Sequence, residues 1–215
     1  MSILYGALVS LFGSKLKADE VLYLLNGEKK VLRQLFSLSE LSEIESFCQE
    51  HSLFLVRSCF KIVVADTNKA FSNKGFRVPV QDPRNGLFVV YVSSDERLAN
   101  LAALAEQQGN DSLLGELLGY PACCVEYFCK NFSSKTSNPE LRQSHGLKNA
   151  DSFLLDISLR PEDIALLSHF PCSWGCVQSV EIAENRLLLL EKTHIPRARE
   201  LFEKLCSINK IERFK

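Results

Sequence analysis

Apolar residues recur at helical spacing at the start of the chain. Ile3, Leu4, Ala7, Leu8, Leu11 and Phe12 stand opposite Ser2, Gly6, Ser10 and Ser14, the period of a packed amphipathic helix. The pattern predicts a second helix over residues 16–25, stopped at Asn26-Gly27, and a resumed helix over residues 28–36. Ser37 with Glu40, and Ser42 with Glu45, have capping-box spacing ahead of a helix that reaches His51. The composition then changes. Residues 54–65 are rich in β-branched and aromatic side chains without glycine or proline, and residues 76–80 and 87–92 read as two further strands. Between the last two lies Gln81-Asp-Pro-Arg-Asn-Gly86, whose Asp-Pro and Asn-Gly pairs predict a turn and hence a small antiparallel meander. Pro79 lacks a backbone donor, so its strand belongs at an edge or a bulge.

Ser93 to Glu96 has the spacing of another capping box, opening a helix through Leu98, Leu101, Ala102, Leu104 and Ala105 that stops at Gly109-Asn110. A short helix over residues 113–118 is broken by Gly119, and the polar stretch 133–151 reads as a linker or mobile loop. Residues 153–167 turn apolar again, with Arg160-Pro161-Glu162-Asp163 resembling a helix opening; a long helix to about His194 and a last one beyond Pro196 complete the chain. The expected class is α+β: a small antiparallel sheet flanked by helices, with a mainly helical C-terminal half. Helices plus meander occupy residues 1–93 and a helical cysteine-cluster region residues 94–215, within one compact domain.

Composition excludes several classes. With 215 residues, 46% of them hydrophobic and 14 phenylalanines, the chain has ample material for a core and is not intrinsically disordered. A formal charge of −1 offers no concentrated positive field, so no nucleic-acid partner is expected. No apolar run reaches the roughly 18–20 residues of a membrane-spanning helix, and none suggests a membrane partner. The first helix lacks a basic segment before its apolar residues, with Lys15 and Lys17 following them, unlike a secretory signal. The expected location is therefore the cytoplasm, where thiols stay reduced. In that compartment the eight cysteines are core filler, metal ligands or reactive groups.

Four of them fall into two segments with a shared grammar. Pro121 precedes Cys123 and Cys124, and Pro171 precedes Cys172 and Cys176. Proline suits the first position of a helix, which would set Cys123 and Cys172 beside unpaired N–H groups at the positive end of a helix dipole. That environment favours the thiolate, the species that ligates metals and attacks electrophiles. On one helix Cys172 and Cys176, at i and i+4, share a face that continues through Val180, Ala183, Leu187 and Leu190. Adjacent cysteines diverge, so three thiolates are expected: Cys172, Cys176 and one of Cys123 and Cys124. The fourth position would fall to His169, the other vicinal cysteine, substrate or water. Soft ligands of this kind suit zinc or an iron–sulfur cluster, and the spacing does not choose between them.

Cys48, Cys59 and Cys206 read as core filling, and Cys129 as structural. His51, His145 and His194 carry no assignment, and Trp174 reads as packing. Glu116, Glu126, Glu181 and Glu184 flank the cysteines at helical spacing and read as solvated. No phosphate-binding loop, dinucleotide fingerprint or nucleophile elbow is present. The C-x3-C-x2-C run of radical S-adenosylmethionine enzymes is also missing, since Ser179 stands three residues after Cys176.

The segments Leu118-Gly-Tyr-Pro-Ala-Cys-Cys-Val-Glu-Tyr-Phe128 and His169-Phe-Pro-Cys-Ser-Trp-Gly-Cys176 resemble those of an uncharacterised prokaryotic family. That family has a Gly-Tyr-Pro-x-Cys-Cys motif followed by a Pro-Cys-Ser-x-x-Cys motif. The resemblance covers about the last half of the chain and implies that the two segments belong together; it implies no reaction. The leading expectation is a metal- or iron–sulfur-binding protein, its thiolates at two helix N-termini and an open position possible for redox or sulfur chemistry. A metal-free thiol/disulfide or persulfide-transfer enzyme is the alternative, and a non-catalytic interaction domain with buried structural cysteines is a third. An unidentified small molecule or protein would be the partner.

Overall fold

Four strands form one antiparallel sheet in the order β1-β4-β2-β3 in the computed structural model, which describes residues 2–64, 75–132 and 152–208. The strands are β1 (Leu32–Phe36), β2 (Phe54–Val64), β3 (Gly75–Pro79) and β4 (Leu87–Ser93). The helices are α1 (Ser2–Phe12), α2 (Lys15–Leu25), α3 (Leu38–Glu50), α4 (Glu96–Gln107), α5 (Asp111–Leu117), α6 (Ala122–Asn131), α7 (Val177–Thr193) and α8 (Ile195–Ile208). The class is α+β, and the C-terminal half is mainly helical. The chain divides into two compact units, one of residues 20–119 and one of residues 1–19 with 120–215. The polar stretch 133–151, with His145, lies outside the described residues.

The first unit holds the sheet, with α3 and α4 packed on it. Ser37 opens α3 as its capping-box spacing predicts, its N–H donating to Glu40 Oε2 at 2.7 Å. The second pair, Ser42 and Glu45, lies inside α3 and starts no helix. The N-cap of α4 is Asp95 and not Ser93: its carboxylate accepts the Arg97 N–H at 2.8 Å, while Ser93 Oγ accepts the Asp95 N–H at 3.0 Å. Two expectations are corrected here. Residues 28–36 are not a helix, because Leu32–Phe36 forms β1, buried at alternate positions and paired antiparallel with β4 from Leu32↔Val92 to Phe36↔Phe88. Leu-Arg-Gln-Leu-Phe has ordinary helix-forming character, and the central strand beside it overrides that preference.

Nor is the sheet a meander. β3 and β4 are not neighbours; both pair with β2, from opposite sides. The connection 80–86 therefore crosses β2, and Lys61 of β2 holds it by donating from Nζ to the Asp82 and Arg84 carbonyls at 2.6 and 2.8 Å. A Cβ on Gly86 would stand 3.0 Å from the Ile62 carbonyl oxygen and 3.1 Å from Lys61 Cβ. The glycine of the Asn-Gly pair thus serves close passage over a strand and not a hairpin turn. Pro79 does lie on an edge strand.

Glu106 of α4 is the buried polar hub of this unit. It accepts Arg33 Nε and Nη2 at 2.5 and 2.7 Å, Arg77 Nη2 at 3.1 Å and the Tyr91 hydroxyl at 2.7 Å. Burial alone would raise its pKa, but Arg33 foremost, with Tyr91 and Arg77, outweighs burial and holds the carboxyl below the usual range. A carboxyl depressed on folding stabilises the protein above its unfolded pKa of about 4.3 and loses that contribution as pH falls toward the folded value. Urea midpoints should therefore drop more steeply below about pH 4.5 in the wild type than in Glu106→Gln. Parallel pH profiles would remove Glu106 from the acid response.

In the second unit α7 packs against α8, and both pack against the 3₁₀ turn Ser152–Leu155. Of the predicted face, Ala183, Leu187 and Leu190 are buried and Val180 is half-buried. Residues 160–163 open no long helix. A single 3₁₀ turn, Arg160–Glu162, ends at Asp163 with φ 62°. The Asp163 carboxylate accepts the Ser14 hydroxyl at 2.7 Å and the Lys15 N–H at 3.1 Å, capping the start of α2. Among the described residues no helix is long and apolar enough to cross a membrane.

Candidate metal centre

Pro121 is the N-cap of α6, one position before its expected place, with φ −56° and ψ 136°. Its carbonyl accepts the Cys124 and Val125 N–H groups at 2.9 and 3.0 Å, so Cys123 and Cys124 occupy the first turn of the helix. The second segment departs from expectation. α7 begins at Val177, and Cys176 is its N-cap. Residues 171–175 therefore form a loop and not the first turn of that helix, and Cys172 and Cys176 do not share a helical face. Ser173-Trp174-Gly175 turns back on itself, with the Cys176 N–H on the Ser173 carbonyl at 3.3 Å. The Trp174 carbonyl is held by the Ser152 hydroxyl at 2.8 Å. The Cys172 N–H donates to Cys124 Sγ at 3.3 Å, a sulfur acceptor 48 residues away, in place of the next bond of a helix.

The four sulfurs of Cys123, Cys124, Cys172 and Cys176 all lie within 4.8 Å of one another. Cys123 and Cys124 are 4.0 Å apart, Cys123 and Cys176 3.7 Å, and Cys124 and Cys176 3.6 Å. Both members of the vicinal pair therefore join the group. Of the options for the fourth position, the fold brings in the other vicinal cysteine, because Cys176 reaches the gap between the diverging side chains. Four cysteines so placed could hold a metal ion. The N-terminal ends of α6 and α7 both face this sulfur group, and their dipoles favour negative charge there.

His169 stands one step away. It is buried, its Nε2 lies 2.9 Å from Ser179 Oγ, and its ring centroid lies 5.1 Å from that of Tyr120. Ser179 Oγ in turn lies 3.3 Å from Cys124 Sγ. Ser179 was not singled out from the sequence. Its one signal is its position three residues after Cys176, in the first turn of α7. Glu116, Glu126, Glu181 and Glu184 are exposed, as expected of solvated groups, and Glu126 pairs with Lys130 at 2.5 Å. Cys48 and Cys206 are buried, whereas Cys59 and Cys129 are exposed. Cys59 is thus not the core filler its strand suggested, because its side chain falls on the open side of β2.

Ionisation is unequal across the group. Burial pushes the Cys124 thiol far above its ordinary value, and burial with the neighbouring sulfurs pushes Cys172 up to about 11. Burial also works against Cys176, but donors from Ser179 and the thiols of Cys124 and Cys123 outweigh it and hold its pKa below the usual value. Cys176 is thus easier to ionise than Cys124 or Cys172, whose thiolates burial opposes and a bound cation would favour.

A family described as a protein of unknown function (DUF483) matches residues 95–208, and the chain belongs to it. No curated protein and no solved structure matches the chain.

Proposed function

We propose that this member of a family of unknown function binds one tetrahedral zinc ion through Cys123, Cys124, Cys172 and Cys176. The ion would act as a structural centre tying the start of α6 to the 171–176 loop and the start of α7. The supporting observation is the mutual approach of the four sulfurs, all within 4.8 Å of one another, with those of Cys123, Cys124 and Cys176 separated by 3.6–4.0 Å. Thiolates about 2.3 Å from a single tetrahedral ion stand about 3.8 Å apart. In an iron–sulfur cluster the four thiolates are spread over two or four irons, so the metal–metal separation adds to the spacing of those on different irons. The close approach therefore favours a mononuclear ion.

Four protein sulfurs also complete the tetrahedron, as in closed structural sites, leaving no open position of the catalytic kind. The Cys172 N–H and the Ser179 hydroxyl supply the outer hydrogen bonds that such thiolates use, and His169 orients Ser179. The reducing cytoplasm is the compartment that keeps four thiols available for a metal.

Anaerobic purification followed by elemental analysis tests the reading. One zinc per chain is the expected result. A brown protein with acid-labile sulfide would replace it with a cluster, and metal-free protein would overturn it.

A further inference from the structure

The four sulfurs share one candidate ion but not one environment. Cys124 is 2% exposed, accepts the Cys172 N–H at 3.3 Å and touches Ser179 Oγ at 3.3 Å. Cys176 is 6% exposed and caps α7. Cys172 is partly covered. Cys123 is exposed, and outside the sulfur group it contacts Oε1 of the exposed Gln178 side chain at a long 3.7 Å. Hydrogen bonds donated to a metal-bound thiolate withdraw charge from sulfur, and burial denies access to a reagent. Cys123 is thus the sulfur of the four most open to a reagent, without the short outer contacts that hold Cys124. Cys176, 3.7 Å away, is placed to react with it next.

Building on the single-ion reading above, we propose that Cys123 is a modification site through which low-molecular-weight disulfides open the metal centre. In the first step the Cys123 sulfur forms a bond to one sulfur of the disulfide. The S–S bond of the reagent breaks, and the other half leaves as a thiolate that takes up a proton. In the second step the Cys176 thiolate attacks the Cys123 sulfur of this mixed disulfide, forming the Cys123–Cys176 bond and expelling the second thiolate. Two protein thiolates are oxidised and one reagent disulfide is reduced to two thiols. The ion is left with Cys124 and Cys172, two ligands where a structural zinc site uses four, and it departs. Thiol reductant reverses both steps and restores the four-sulfur set.

The test uses full-length zinc-loaded protein carrying Cys59→Ser and Cys129→Ser, which removes the exposed thiols outside the centre. Zinc content is measured first. Oxidised glutathione is then added anaerobically, samples are quenched with N-ethylmaleimide, and adducts are mapped by peptide mass spectrometry while a chromophoric chelator reports free zinc. The glutathione adduct is expected first on Cys123, at least about tenfold ahead of the other three ligands. Zinc release should follow in step with a Cys123–Cys176 disulfide. Zinc-loaded protein whose first adduct falls on Cys172, or which loses zinc with Cys123 unmodified, overturns this inference and leaves the metal site standing. Protein that carries no zinc before the reagent is added overturns both.

Discussion

Replacing Cys176 with serine is expected to lower bound metal from about one ion per chain to less than about a tenth of that. Cys176 is a buried cysteine of the proposed site, 3.6 Å from Cys124 and 3.7 Å from Cys123. A serine hydroxyl there is too weak an acid to serve as an anionic ligand, and a buried sulfur group lacking its ion holds thiols whose ionisation burial opposes. Metal-binding free energy is folding free energy, about 10–16 kcal/mol in small zinc-finger peptides. This unit has its own core around Leu155, Ala183, Leu190 and Leu201, so it should lose only part of such a sum. A fall in Tm of more than about 10 °C is expected. Cys129→Ser, on the exposed side of α6, provides the comparison and should change stability by less than about 0.5 kcal/mol. Equal metal content in the two variants would refute the assignment of Cys176 as a ligand.

The second large effect concerns Asp19 and Arg197, a buried ion pair 178 residues apart. Arg197 Nε and Nη2 donate to Asp19 Oδ2 at 2.9 and 2.7 Å, and the Tyr5 hydroxyl donates to Asp19 Oδ1 at 2.7 Å. Arg197 also reaches Glu200 at 3.0 Å and the Asp163 carbonyl at 2.5 Å, and Lys15 closes the network on Glu200 at 2.8 Å. The Asp19 side chain is 0% exposed and that of Arg197 1%. Asp19→Asn keeps the shape but leaves a buried guanidinium short of its counter-charge. The expected cost is about 3–5 kcal/mol, or roughly 6–20 °C in Tm for a chain of this size. Replacing both partners, as Asp19→Leu with Arg197→Met, should cost less than Asp19→Asn alone, because no charge is then stranded. A single variant as stable as the wild type in denaturant titration would refute this role.

Neither effect could be read from local patterns. Asp19 lies mid-helix in α2 and Arg197 early in α8, where each resembles an ordinary solvated charge. The cysteine segments were different, because two proline–cysteine clusters in a chain with no need of disulfides already indicated chemistry. Spacing left the fourth position open among His169, the other vicinal cysteine, substrate and water. The fold brings Cys123 and Cys124 to within 4.0 Å of each other and within reach of Cys176.

What the chain determines by itself is what acts over four or five residues. The Ser37–Glu40 box, the burial of Ala183, Leu187 and Leu190 along α7 and the edge placement of Pro79 all follow from hydrogen bonds, sterics and periodicity within a turn or a strand. Tertiary structure alone decided the rest. Leu32–Phe36 became a strand because β4 offered it a partner, and the Asn-Gly loop crossed β2 because Lys61 and Gly86 make room and hold it. Cys172 left the helix to point its N–H at a sulfur 48 residues away. In each case the deciding bond joins residues far apart in the chain, and its strength depends on burial that only the assembled core provides.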